Sequence, residues 1–249
     1  PSWAELLAAQ FRLTPGQIQD AMEYAESQYA MNGCRAITTT DLYAACRYQS
    51  NQALGELAVK IEPRYDWEDI VLPENKLTQL KEVCHQVKER YGLLKSWGFD
   101  RKLAREKGIS ILFSGSSGTG KTMAAEVIAH ELQLDLYKID LSQLVSKYIG
   151  ETEKNMARIF DEAETSNAIL FFDEADAIFG KRTSVSDAHD RYANTETSYL
   201  LQKIEEYEGV VILATNLRSN IDDAFTRRIR VIVDFPSPDA ERRMKIWRV

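Results

Sequence analysis

The sequence predicts an α/β fold: a three-layer sandwich with a five-stranded parallel sheet between helices, preceded by a small all-α unit. Three observations carry this. Five short runs, Ile109–Phe113, Leu136–Asp140, Ile169–Asp173, Val210–Thr215 and Val231–Phe235, are nearly continuous in apolar residues. That is the pattern of strands covered on both faces. Helical patterns separate most of them, and strands alternating with helices argue for a parallel sheet. Residues 1–60 carry helical periodicity and no strand run.

In the helical unit, Thr14-Pro15-Gly16-Gln17 supplies an N-cap Thr, a Pro at the first helical position and a Gln three residues after the cap. Ile18, Ala21, Met22, Ala25 and Tyr29 follow at helical spacing. Gly33 marks a turn. Thr38-Thr39-Thr40-Asp41 repeats the start signal, with Leu42, Ala45 and Cys46 on one face. Ile61–Pro73 reads as a linker with a Trp-Glu-Asp turn. Glu74–Tyr91 reads as a helix with Leu77, Leu80, Val83, Cys84 and Val87 at core spacing. Met156, Ile159, Phe160 and Ala163 mark a later helix, and Leu200, Ile204 and Tyr207 another. The segmentation is a helical unit at 1–60, a core at 61–238 and the start of a further helical segment at 239–249.

The chain has 249 residues, 44% hydrophobic and 28% charged, with a net charge of −7. That allows a real core and argues against a general nucleic-acid surface, which would be basic. Three scattered cysteines, without C-x-x-C spacing, read as reduced thiols of a cytoplasmic protein. No apolar run approaches the length of a membrane span, and no signal-peptide pattern opens the chain. Pro1 in place of an initiator Met, and a charged helical pattern up to Val249, predict a fragment of a longer protein.

Gly115-Ser116-Ser117-Gly118-Thr119-Gly120-Lys121-Thr122 matches G-x-x-x-x-G-K-[ST], the phosphate-binding loop of nucleotide hydrolases. A chance match in a chain this long has odds on the order of one in a hundred. The strand before it and the helical run Met123–Leu132 after it supply the context the loop needs. Glycines let backbone N–H groups turn inward onto phosphate oxygens, and the helix N-terminus adds partial positive charge. Lys121 then reaches the β and γ phosphates, and Thr122 offers its hydroxyl to Mg²⁺.

Ile169–Phe172 is an apolar run that ends in Asp173 and Glu174. A strand there delivers both acids to the sheet edge that holds the phosphate loop, where ligands bind. Asp173 can hold Mg²⁺ through water, and Glu174 can orient and deprotonate an attacking water. Val210–Thr215 brings Asn216 to the same edge. Asn is also common as a turn residue, and spacing alone does not decide its role.

In order and spacing, the phosphate loop, Phe171-Phe172-Asp173-Glu174-Ala175-Asp176, Ala214-Thr215-Asn216 and Asp222-Asp223-Ala224-Phe225-Thr226-Arg227-Arg228 resemble an AAA+ ATPase of the protein-remodelling branch. The likeness extends from about Tyr65 to Val249. Bacterial tandem AAA+ proteins linked to contractile injection systems are similar. The resemblance implies a phosphate-loop NTPase fold with ATP and Mg²⁺ as cofactors, and no N-K-x-D guanine-reading motif is present. It implies nucleotide contacts from Ser117, Gly118, Thr119, Gly120, Lys121, Thr122 and Met123, metal binding by Thr122 and Asp173, Glu174 as base and Asn216 as first sensor. Trp67–Pro73 resembles the segment that wraps adenine, through Ile70 and Val71. Arg227 and Arg228 fall in the arginine-finger region, where a neighbouring subunit completes the site. The usual Pro-Gly between the two arginines is missing, so either one can be the finger.

Lys147-Tyr148-Ile149-Gly150 resembles the substrate-gripping pore loop, and the polar stretch Gly180–Asn194 a second pore-facing loop. The resemblance therefore implies a homo-oligomer, usually a hexamer, acting on protein substrates. A nucleic-acid motor and a low-turnover nucleotide-dependent scaffold are the competing readings. The acidic balance and the aromatic pore-type loop argue against the first. The intact Lys121, Asp173, Glu174 and Asn216 argue against the second. The helical unit at 1–60 resembles the small lid of an AAA+ module; it closes an earlier module or is an unrelated adaptor. The core's own lid begins near Asp239.

Overall fold

The computed structural model describes residues 3–11, 13–31, 37–50, 58–96, 108–141, 151–166, 168–176, 188–216 and 226–247. Three helices open the chain: α1 (Trp3–Gln10), α2 (Pro15–Met31) and α3 (Thr39–Ser50). Both start signals form. At α2 the Thr14 N–H donates to Gln17 Oε1 at 2.9 Å, and the Gln17 N–H donates to Thr14 Oγ1 at 3.4 Å. This reciprocal box satisfies amides the helix leaves open. Thr38 and Asp41 do the same for α3, at 2.8 and 3.3 Å.

The three helices bury Leu7, Phe11, Ala21, Ala25, Leu42, Ala45 and Cys46 together. The apolar face of α2 is rotated from the one its spacing predicts: Ala21 and Ala25 are buried, whereas Ile18 and Met22 are exposed. Tyr24 is the reason. Its ring stacks on Tyr48 of α3, centroids 4.4 Å apart and planes within 12°. That contact turns the Tyr24 side of α2 inward and leaves Ile18 on the rim.

The remaining elements are β1 (Val59–Ile61), α4 (Glu74–Ser96), β2 (Ile109–Ser114), α5 (Lys121–Leu132), β3 (Leu136–Asp140), α6 (Glu151–Ser166), β4 (Ile169–Asp173), α7 (Ala188–Glu206), β5 (Val210–Thr215), β6 (Val231–Asp234) and α8 (Ala240–Ile246). The sheet order is β1-β3-β4-β5-β2-β6. The five predicted strands all form and run parallel to one another. A sixth corrects the five-stranded expectation: β1 joins the edge antiparallel to β3, with Val59 opposite Lys138. Residues 59 and 60, read as the tail of the helical unit, are thus strand. Three residues are too few for alternation to be legible. The edge of β3 supplies the partner, and Lys60 is held to Asp135 at 3.1 Å.

Alternate residues of each strand enter opposite cores. Leu112, Ile139, Leu170, Phe172, Val211 and Leu213 pack with Met156, Ile159 and Phe160 of α6 and Leu200 and Ile204 of α7. Ile111, Phe113, Leu136, Phe171, Ile212 and Val233 pack with Leu80 and Val83 of α4 and Ala124 and Ile128 of α5. The sandwich is therefore three layers deep, with the phosphate loop on the α4/α5 face. Tyr207 closes the other core; its hydroxyl donates to the Ala168 carbonyl at 2.5 Å. Asp239 caps α8, its carboxylate accepting from the Arg242 N–H at 2.9 Å. Among the described residues no helix is long and apolar enough to cross a membrane.

Candidate functional site

Register aligns the carboxyl ends of the strands on one level. Asp140 pairs with Asp173, Phe172 with Leu213, Ser114 with Thr215 and Ser114 with Asp234. The chain leaves β2 through Gly115 at this level. A Cβ on Gly115 would lie 2.3 Å from the Phe235 carbonyl oxygen, so only glycine fits where the loop crosses β6. Gly118 and Gly120 adopt φ of 77° and 95°, the left-handed region that favours glycine. Gly120 is the N-cap of α5 and brings no capping side chain to the first turn. The first-turn amides of α5 thus have no side-chain cap, the arrangement in which a helix N-terminus binds anions. Thr119 Oγ1 donates to the Ser116 carbonyl at 2.8 Å and braces the loop. Ser117 and Gly118 are exposed; Thr122 and Met123 are half-buried.

Lys121 is the hub. Its ammonium donates to the Gly115 and Ser116 carbonyls at 2.6 and 2.9 Å and to Asn216 Oδ1 at 2.9 Å. The structure thus brings Asn216 into direct contact with the phosphate-loop lysine. Burial lowers the Lys121 pKa, and the charges of Asp173 and Asp176 oppose that shift. Both acids therefore lie within electrostatic reach of the loop. These bonds use the three ammonium donors internally, so an arriving phosphate must take their place.

Asp173 ends β4 half-buried, and Glu174 follows it, exposed. Glu174 has φ of 54°, uncommon for a residue with a Cβ and costly by about 1–3 kcal/mol. The Glu174 N–H donates to Asp173 Oδ1 at 3.0 Å, and the Ala175 N–H returns to the sheet at the Ala214 carbonyl, 2.8 Å away. The chain kinks at Glu174 and re-enters, and the kink sets the acid outside the strand. Strain at a site edge is where function concentrates.

Two residues at this edge escaped the sequence reading. Asp176 Oδ1 accepts from Thr215 Oγ1 at 3.0 Å and from the Asn216 N–H at 3.4 Å. It ties the end of β5 to the turn after β4 and so positions Asn216. Lys138, on β3, has its ammonium 2.7 Å from Asp173 Oδ2. Its signal was present as the lone charge inside Leu136-Tyr137-Lys138-Ile139, but strand periodicity carries no cue to its partner.

The base-binding candidates are differently placed. Ile70 is buried in the α4/α5 core, where Trp67, Leu72 and Met123 pack alongside it. Val71 is half-buried. The Trp67 indole N–H donates to Glu131 at 2.9 Å and the Lys81 ammonium lies 5.5 Å from its ring centroid, fixing the segment to α4 and α5.

Arg227 and Arg228 lie at the other end of the sheet. The Arg228 carbonyl accepts from Ser110 Oγ at 3.4 Å, and the Arg230 N–H donates to the Ser110 carbonyl at 3.2 Å. Ser110 is near the start of β2, whereas Gly115 follows its end. Four strand residues lie between them, a rise of about 16 Å. The buried Ile229 anchors the turn and leaves both arginines exposed. Arg228 meets Glu205 at 3.4 Å; among the described residues Arg227 has no ion-pair partner. Lys147, Tyr148, Ile149 and Gly150 lie outside the described residues. Of the polar stretch 180–194, residues 188–194 belong to α7 and do not form a loop; the rest lies outside the described residues.

A glycine-rich loop on a helix N-terminus, at the carboxyl edge of a parallel sheet with two acids and an asparagine beside it, defines a phosphate-loop nucleotide-binding protein. Residues 111–237 match the ATPase family associated with various cellular activities (AAA). The chain belongs to that family, whose members bind ATP. It is similar to an uncharacterized AAA family ATPase of Sinorhizobium fredii, 31% identical over 76% of this chain and 55% of the relative. It is similar to the cell division cycle protein 48 homolog of Archaeoglobus fulgidus, 30% identical over 86% of this chain and 29% of the relative. A proteasome-activating nucleotidase of Methanothermobacter thermautotrophicus is 33% identical over 68% of this chain and 43% of the relative. The chain spans about half the length, or less, of these relatives.

Proposed function

We propose that the chain carries the Mg²⁺-dependent ATP hydrolysis site of a cytoplasmic, ring-forming motor, usually a hexamer, that remodels protein substrates. The observation that carries this reading is the separation of the two half-sites. The phosphate loop, Asp173, Glu174 and Asn216 converge at one end of the sheet, and the arginine pair stands about a strand length away. An arginine so placed cannot serve its own phosphate loop, but it can serve a neighbour's.

The donor set suits Mg²⁺. Thr122 and Asp173 offer hard oxygen ligands, and among the described residues no group of three His, Cys, Asp or Glu forms a metal cage. Mg²⁺ takes one or two protein oxygens and fills its shell with phosphate and water. When bound, it supplies charge neutralisation at the β and γ phosphates. The protein's own groups do the rest. The α5 amides and Lys121 hold the phosphates, with Met123 and the Ile70–Val71 segment beside the base. Glu174 takes the proton of the attacking water, which Asn216 helps to orient. Arg227 of a neighbouring copy neutralises charge on the transferring phosphoryl group; among the described residues it has no ion pair to give up, whereas Arg228 meets Glu205.

The relative named for proteasome activation favours protein substrates, as does the resemblance of Lys147–Gly150 to a pore loop. Tyr148→Ala in the whole protein is expected to keep at least half of basal ATP turnover and to stop unfolding of a fluorescent protein substrate. Unchanged unfolding by Tyr148→Ala refutes the remodelling reading and leaves the hydrolytic site standing.

A further inference from the structure

Both carboxylate oxygens of Asp173 are engaged. Oδ1 accepts from the Glu174 N–H at 3.0 Å, and Oδ2 meets the Lys138 ammonium at 2.7 Å. Register explains the second contact. Lys138 pairs with Phe171, and Asp173 is two residues further on, on the same face of the sheet. A diagonal neighbour across parallel strands is within reach of a long side chain. The Lys138 side chain is 36% exposed and that of Asp173 25%, so the ammonium can leave towards solvent without breaking the core.

We propose that Lys138 is an internal counter-ion for Asp173: it holds the oxygen that a nucleotide-borne magnesium ion needs and thereby sets the magnesium concentration at which nucleotide is retained. Oδ1 already accepts from the backbone amide and the Lys138 ammonium covers Oδ2, so a metal or its water shell that comes to this carboxylate meets the ammonium. An ammonium and a magnesium ion compete for the same negative charge, and each repels the other. Lys138 is thus a positioning residue that acts through Asp173, and it keeps the edge neutral while the metal is away. The inference rests on the reading of Asp173 as a magnesium ligand.

The test is the magnesium dependence of nucleotide binding, free of any contribution from turnover. The protein is stripped with EDTA and mixed with fluorescent N-methylanthraniloyl ADP, and MgCl₂ is titrated while bound fluorescence is read. Removing a half-exposed ion pair shifts such an equilibrium by about two- to five-fold. Lys138→Met is expected to lower the half-saturating magnesium concentration by that factor. Lys138→Arg, which keeps the charge, is expected to match the parent, and Asp173→Asn to raise the concentration. Lys138→Gln replaces Lys138→Met if circular dichroism finds the latter unfolded. An unchanged or raised magnesium requirement in the uncharged variants, with Asp173→Asn still shifted, overturns the role of Lys138 alone. No shift in Asp173→Asn overturns both that role and the metal reading beneath it.

Discussion

The two ends of the sheet are built on different principles. At the carboxyl end, charged and polar side chains interlock: Lys121 with Asn216, Lys138 with Asp173, Asp176 with Thr215. At the amino end, one buried side chain, Ile229, anchors a turn whose arginines stay in solvent. A folded copy can complete the first end by itself. The second end gains nothing from its own fold by being so exposed, because a surface pair such as Arg228–Glu205 contributes about 0–1 kcal/mol. In the proposed ring, the first end is finished within one chain and the second is left for a partner.

Removing the exposed end alone separates the two ends most strongly. Arg227→Ala is expected to lower ATP turnover about 10³-fold at concentrations where the chain associates, with nucleotide affinity and thermal stability unchanged. Arg228→Ala is expected to cost less. Equal losses in steady-state phosphate release would show that Arg227 is not the distinctive one. Removing the acid at the kink is the next largest change. Glu174→Gln is expected to lower turnover about 10²- to 10³-fold while ATP binding, read by fluorescence, persists. Undiminished turnover would remove Glu174 as base.

A smaller effect, on stability, separates the ends further. Gly115→Ala pushes a methyl group against the Phe235 backbone, which cannot yield as a flexible side chain would. The expected loss is about 1–3 kcal/mol in chemical denaturation. Gly118 and Gly120 have open space around their α-carbons, so alanine there strains φ without a clash and is expected to cost less.

The carboxyl end was largely legible in sequence because its parts are local. A glycine-rich loop must follow a strand, and an apolar run must deliver what comes at its tip; Leu136–Asp140, Ile169–Asp173 and Val210–Thr215 form with the boundaries their residues suggest. Lys138 and Asp176 were not legible, since their partners lie on other strands and register is a property of the assembled sheet. The same holds for β1, too short to announce itself, and for α2, whose face is set by Tyr24 stacking on Tyr48 rather than by its own periodicity. That the arginine pair stands apart from the phosphate loop followed only from the pairing of β2 with β6.

In the proposed ring, one copy supplies the phosphate loop and another the arginine. Mixing two disabled chains tests it directly. Lys121→Ala lacks the phosphate-loop lysine but keeps its arginines; Arg227→Ala keeps the loop but lacks the finger. ATP turnover per total protein is measured for each alone and for an equimolar mixture. The mixture is expected to exceed both parents, because arginines of the first complete the loops of the second. A mixture no more active than the average of the two would contradict it.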